Sequence, residues 1–255
     1  MELIKSVRHR TRLSELVYLT LNLALPAVLF LLVRAFGGSP VVAIVLLVLS
    51  KWRVLAVRPR YWFINLKTNL IDLIVGVSFV YLLVAAKNSD VAQLGLVALY
   101  IAWLVYLKPK SRRHFMAMQA GIGQFVGLSA LFMFSYQLDV FSVTVLAWII
   151  GYSATRHVIG AYEEEHLEMI GVVWGLIIAE LSWLAFHWTL SYPLLSGIAI
   201  PQVAAFATVL SFGAYNLYDI AKHGRPNDRR KRLTVVVTGA LLLIILIFAR
   251  WTVTI

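Results

Sequence analysis

A glutamate in the middle of an apolar run is the first residue that asks for chemistry. Glu180 lies about 16 residues into the stretch 164–188, roughly 24 Å along a helix that rises about 1.5 Å per residue. Gln202 stands at similar depth in the next stretch, 194–218, and Pro201 before it frees a backbone carbonyl. Thr144 in the stretch 140–158 reaches a comparable height. His187 follows Glu180 at a spacing of two helical turns, on the same face and nearer the far end. These groups predict a polar path in which Glu180 is a protonatable carboxyl on a substrate or proton route. The competing reading is a neutral Glu180 that hydrogen-bonds Gln202 or a backbone carbonyl and joins two helices. Charge within hydrocarbon is costly, so either way the residue should face the bundle interior.

A second set of polar groups sits nearer the other end. Asp72 and Asn69 fall in the stretch 68–86, Gln119 and Gln124 in 114–135, and Asn22 precedes Pro26 in 14–36. They predict either an inner vestibule or packing contacts between helices, with Asp72 paired to Lys67 or a neighbouring arginine.

The densest polar segment is Arg156, His157, Glu163, Glu164, Glu165, His166 and Glu168, at the junction of two apolar stretches. Glu163-x-x-His166 has the one-turn spacing of di-iron carboxylate bundles, but such sites need two of these motifs and further carboxylates. The chain has one, so neither a metal nor a cofactor is expected. The plain reading is acid at a helix start, favoured by the macrodipole. A docking surface, a gate or a carboxylate–histidine catalytic pair are the alternatives. Phosphate-binding loops, nucleophile elbows, zinc-protease and dinucleotide fingerprints are missing from the sequence. With no cysteine, thiol chemistry and disulfides are excluded.

What must position these groups is a set of apolar stretches of spanning length. Apolar residues make up 61% of the 255-residue chain and charged residues 14%. Soluble domains are nearer 45–50% and about 25%. Helices are predicted at about 14–36, 40–57, 68–86, 91–107, 114–135, 140–158, 164–188, 194–218 and 233–252. The breaks carry turn chemistry, as in Gly37-Gly38-Ser39-Pro40 and Ser191-Tyr192-Pro193. The first apolar run lacks a small-x-small cleavage site and is expected to be a retained helix. No loop exceeds roughly 15 residues, so residues 1–255 are read as a single transmembrane domain.

The net charge of +11 is sorted by side. Alternating the nine stretches puts twenty of the lysines and arginines on the side of the N-terminus and three, Arg34, Lys87 and Arg250, on the other. This predicts a cytoplasmic N-terminus and an external C-terminus. The basicity is thus a topology signal and an attraction to anionic lipid head groups at the cytoplasmic face, with no nucleic acid implied. Trp52, Tyr61 and Trp62 mark one interface, and Trp183, Trp188, Tyr192 and Trp251 the other. Gly171-x-x-x-Gly175 and Gly123-x-x-x-Gly127 predict close helix contacts.

The expected molecule is an all-α polytopic bundle, integral to a membrane and read as the bacterial cytoplasmic one. Its expected function is transport of a small solute or ion, coupled to protons through the mid-membrane carboxylate. Two alternatives stand beside it. One is a non-catalytic subunit or scaffold, with a membrane-protein partner or a second copy of itself. The other is an intramembrane enzyme on a lipid-borne substrate, with Arg112 and Arg113 on a lipid phosphate.

Overall fold

The structure, a computed structural model, describes residues 12–52, 56, 58–162, 164–188, 190–195, 197–223, 228–248 and 250–251. It is 84% helical. Among the described residues ten helices follow one another: α1 (Arg12–Ala35), α2 (Val41–Ser50), α3 (Trp62–Thr68), α4 (Leu70–Ala85), α5 (Asp90–Ala102), α6 (Arg113–Met133), α7 (Val140–Ile159), α8 (Leu167–His187), α9 (Gln202–His223) and α10 (Asp228–Phe248). A π-helical turn, Trp103–Leu107, prolongs α5. Every predicted stretch contains one of these helices.

Local chemistry sets the boundaries. Gly37 and Gly38 take φ of 63° and 89° in the turn after α1, a conformation with no steric penalty for glycine. Ser89 caps α5 by accepting from the Ala92 amide, and Asp139 caps α7 by accepting from the Ser142 amide at 2.9 Å. Between α3 and α4 the axis bends by 65° at Asn69. The amide of Asn69 donates to the carbonyl of Asn65 there.

The stretch predicted as helix from 194 begins instead as β structure. Strands β1 (Leu190–Leu195) and β2 (Ile198–Pro201) form an antiparallel hairpin, and β3 (Arg250–Trp251) pairs with the other edge of β1, in the order β2-β1-β3. Gly197 at φ 82° makes the turn, β-branched Ile198 and Ile200 extend the chain, and Pro201 delays the helix to Gln202. The hairpin lies on the end of α4, where a Cβ on Gly197 would sit 2.5 Å from the Ala85 carbonyl oxygen.

Among the described residues five helices are long and apolar enough to cross a membrane: Asp90–Leu107, α6, α8, and most of α9 and α10. The bent pair α3–α4 has the combined length and apolarity of a sixth if its two parts count as one span. Helix α2 has 10 residues and spans about 15 Å, half of a hydrocarbon core of about 30 Å. This bundle of apolar helices is that of a membrane-embedded chain. Its cations nevertheless sort by end. Lys51, Lys67, Lys108, Arg113, Arg156 and Lys222 meet partners at one end, and Arg34 reaches Asp90 at the other, at 2.8 Å. These are the basic end and the sheet end below.

Helix α6 is the hub, packed against α4, α7 and α9. The most extensive contact is α7 on α8. A Cβ on Gly151 would lie 2.7 Å from the Ile178 Cβ, and one on Gly175 3.0 Å from the Trp148 carbonyl oxygen. Both predicted glycine pairs lie in close contacts, since Gly123 and Gly127 receive Ile71 and Ile74 of α4. Helix α10 is peripheral. Its apolar window has no buried residue, and it leans on α9 where Thr238 fills the space over Gly213.

Candidate functional site

Small side chains on α6, α7 and α9 leave a cleft between these helices and α8. Ala117, Ala120, Gly121, Ala154 and Ala214 line it, with Val158, Ile159, Ile170 and Phe212. Its volume is about 240 Å³. Deep in it Gln124 Nε2 donates to Ser211 Oγ at 2.9 Å, and that hydroxyl lies 3.2 Å from Gln124 Oε1. The indole N–H of Trp174 donates to the same hydroxyl at 2.9 Å. Three helices thus share one hydrogen-bonded node. Gln124 is only 1% exposed, so an unmet amide there would be costly. No charged side chain among the described residues lines the cleft.

Toward the basic end the cleft passes Tyr215 and Tyr218 of α9. The Tyr162 ring meets that of Tyr218 edge-on at 5.2 Å, and its hydroxyl donates to Asp219 at 2.7 Å. Arg113 lies over Tyr162 at 5.0 Å and donates to the Ala161 carbonyl. Glu164 accepts from the Tyr218 hydroxyl and from Lys222 at 2.8 Å. Those two donors hold its carboxyl below the usual range. Burial first, then its hydrogen-bond partners Tyr215 and Asp219, push the Tyr162 phenol up. Tyr215, Tyr218, Asp219 and Lys222 recur at i, i+3, i+4 and i+7, one face of α9. That spacing was the signal in the sequence for this mouth. Nothing in the sequence singled out Ser211 or Trp174.

The predicted cluster is divided among three arrangements. Glu168 accepts from the Tyr152 hydroxyl, from Arg156 at 3.1 Å and from Lys67 at 3.3 Å. His157 turns away from these acids. Gln119 Nε2 donates to the carbonyls of Leu107 and Lys110 at 2.7 and 2.8 Å, which leaves its Oε1 to accept from His157 Nε2 at 2.8 Å. His157 therefore belongs to a clamp that closes the π-helical end of α5 and not to a pair with a described carboxylate. Glu165 and His166 are exposed, and Glu163 lies outside the described residues. Among the described residues no three of His, Asp and Glu gather as metal ligands.

Asp72 binds Lys51 and, at 2.8 Å, Lys108, instead of Lys67. The bend at Asn69 accounts for this, because α3 carries Lys67 toward Glu168. Asn69 is exposed and takes its place in that bend, not in a vestibule. Gln124 is the one member of the predicted vestibule set that lines the cleft. The path from Glu180 is not assembled. Gln202 donates to the Ile245 carbonyl of α10 at 3.0 Å. Thr144 bonds back to the Val140 carbonyl within α7. Glu180 is exposed on the face of α8 turned away from α7, and no hydrogen bond or ion pair reaches it among the described residues. His187 is exposed on that face too, with its ring 5.0 Å from that of Trp183. Depth was matched in the sequence, but helical phase separates Glu180 from the buried side of Gly171, Gly175, Ile178 and Ser182. Comparison with models of protein families, with curated proteins and with solved structures finds no match to this chain.

Proposed function

We propose that this chain is a membrane carrier that takes the apolar part of an amphiphilic solute into the α6–α9 cleft from the basic end. The observation that supports this is the cleft itself. Its walls are apolar and uncharged, its depth offers the Gln124–Ser211–Trp174 node, and its mouth offers phenols and cations. Such a lining suits a hydrocarbon body with one or two hydrogen-bonding groups. A bare ion would find too few ligands there to replace its water. An anionic head group would meet Arg113 and Lys222 at the rim. Proton coupling through Glu180 gains no support from where that residue stands.

The sorting of cations by end supports nine passages with the basic end cytoplasmic, in a bacterial cytoplasmic membrane. In this topology α2 crosses a thinned region, and α3, with Trp62, Phe63 and Ile64 exposed, lies in the interface.

Gly121 supplies the test. It lines the cleft, and a Cβ added to it meets nothing within 4 Å. Gly121→Leu should fill the cleft and leave the fold intact. In liposomes, a fluorescent acyl amphiphile should bind the native chain saturably and cross between leaflets faster than in protein-free vesicles. Gly121→Leu should abolish both, while Gly95→Leu, equally unobstructed but on α5, should change neither. Binding and flux that survive Gly121→Leu would refute the assignment.

A further inference from the structure

The outward face of α8 is not a uniform lipid-facing surface. Met169, Val173, Leu176, Glu180, Trp183 and His187 follow one another at alternating steps of four and three residues, and all are exposed. That spacing is the seam of a left-handed helix pair, in which residues from two parallel helices meet layer by layer. The opposite face of the same helix is already used against α7, through Gly171 and Gly175. Among the described residues the seam has no partner. At its middle stands a carboxyl group, roughly 20 Å along a helix of roughly 30 Å. Lipid tails offer it nothing to bond.

We propose that this seam is the self-association surface of the protein, and that its occupant is the same face of a second copy. Two copies inserted in one direction are related by a two-fold axis along the membrane normal, which sets their α8 helices parallel and at equal depth. Glu180 then meets Glu180 of the other copy. A carboxyl oxygen accepts hydrogen bonds, and an isologous seam brings each carboxyl the donors of the other copy near its own depth. The next layer brings the indole N–H of Trp183, which donates to nothing among the described residues, beside the same carboxyls. One polar layer in an apolar seam fixes register, as a single buried asparagine does in soluble coiled coils.

The chain has no cysteine, so single cysteines report on the seam directly. Val173→Cys and Leu176→Cys should each give a disulfide-linked dimer on mild oxidation in liposomes. Val237→Cys, exposed on α10, should not. Energy transfer between labelled copies, followed as lipid is added, should show dimers that Glu180→Leu weakens by about three- to tenfold, the size of one interhelical hydrogen bond. Glu180→Gln, which keeps a donor and an acceptor, should preserve them. A chain that is monomeric at every lipid dilution, equal cross-linking at position 237, or a Glu180→Leu variant that pairs as well as the native chain would each overturn the proposal. So would cross-linking from position 176 in native membranes to a different protein and not to a second copy.

Discussion

Ser211→Ala is the sharpest probe of the node. The hydroxyl accepts from Gln124 Nε2 and from Trp174 Nε1, both at 2.9 Å, and lies 3.2 Å from Gln124 Oε1. Alanine removes one oxygen and hardly changes volume, so packing is left alone. Two donors then lose their acceptor in an apolar cleft. Hydrogen bonds between helices in a membrane average about 0.6 kcal/mol and reach about 1.7. Two of them, one to a nearly sealed glutamine, place the loss at about 1–3 kcal/mol. Unfolding in mixed micelles by a denaturing detergent measures it. Gln124→Leu and the double variant complete a cycle. If the three groups act as a node, the double variant should lose less than the two single ones together, by about 0.5–1.5 kcal/mol. Ser211→Ala should weaken amphiphile binding by roughly five- to 140-fold, since each 1.4 kcal/mol is about tenfold. Additivity to within about 0.3 kcal/mol would show that the three groups do not share one node, and the reasoning would fall.

Gly151→Val should damage the helix contact at the centre of the bundle. Its Cβ would stand 2.7 Å from that of Ile178 where α7 meets α8, and overpacking of this kind costs about 1–3 kcal/mol in the same unfolding assay. Gln119→Leu should strip partners from His157 and from the Leu107 and Lys110 carbonyls, and hydrogen exchange should accelerate at the π-helical end of α5 before it does in α6. The Glu164 contact should fail in acid. Its carboxyl sits below the ordinary value of 4.5, so its contribution is complete above that value and disappears as pH falls through the lower folded one. Exchange at the basic end of α9 should rise in that window, and Lys222→Met should flatten the dependence.

Periodicity and length found a helix in each of the nine stretches, because hydrocarbon demands long apolar runs whatever their partners. The boundary at 194 failed for a local reason. Ile198 and Ile200 are as apolar in a strand as in a helix, and only Gly197 with the flanking prolines marks the turn. Depth along the helix was misjudged for Gln202, because Pro201 still belongs to a strand and α9 starts at Gln202 itself, at the sheet end, whereas Glu180 stands seven residues short of the end of α8. Direction around the helix decided the fate of Glu180, and it was readable only after the glycine face of α8 had been identified as the buried one. Pairings across the bundle were least legible. Asp72 and Lys67 are close in sequence, but the 65° bend sends them to different partners. Ser211 carries no sequence signal, since a serine in a membrane helix most often bonds its own backbone.

The third strand bears on how the chain is built. Arg250–Trp251 joins the edge of β1 only after α10 has folded back along α9, since that helix separates it from α9. Until then β1 offers an unpaired edge, and Tyr192 and Gln202 lack the Ile245 carbonyl to which both donate. A ribosome-bound chain halted after α9 would thus carry a sticky, half-built lid. Docking of α10 is the step that closes it, so the sheet end of the molecule is sealed by a contact between segments about 50 residues apart.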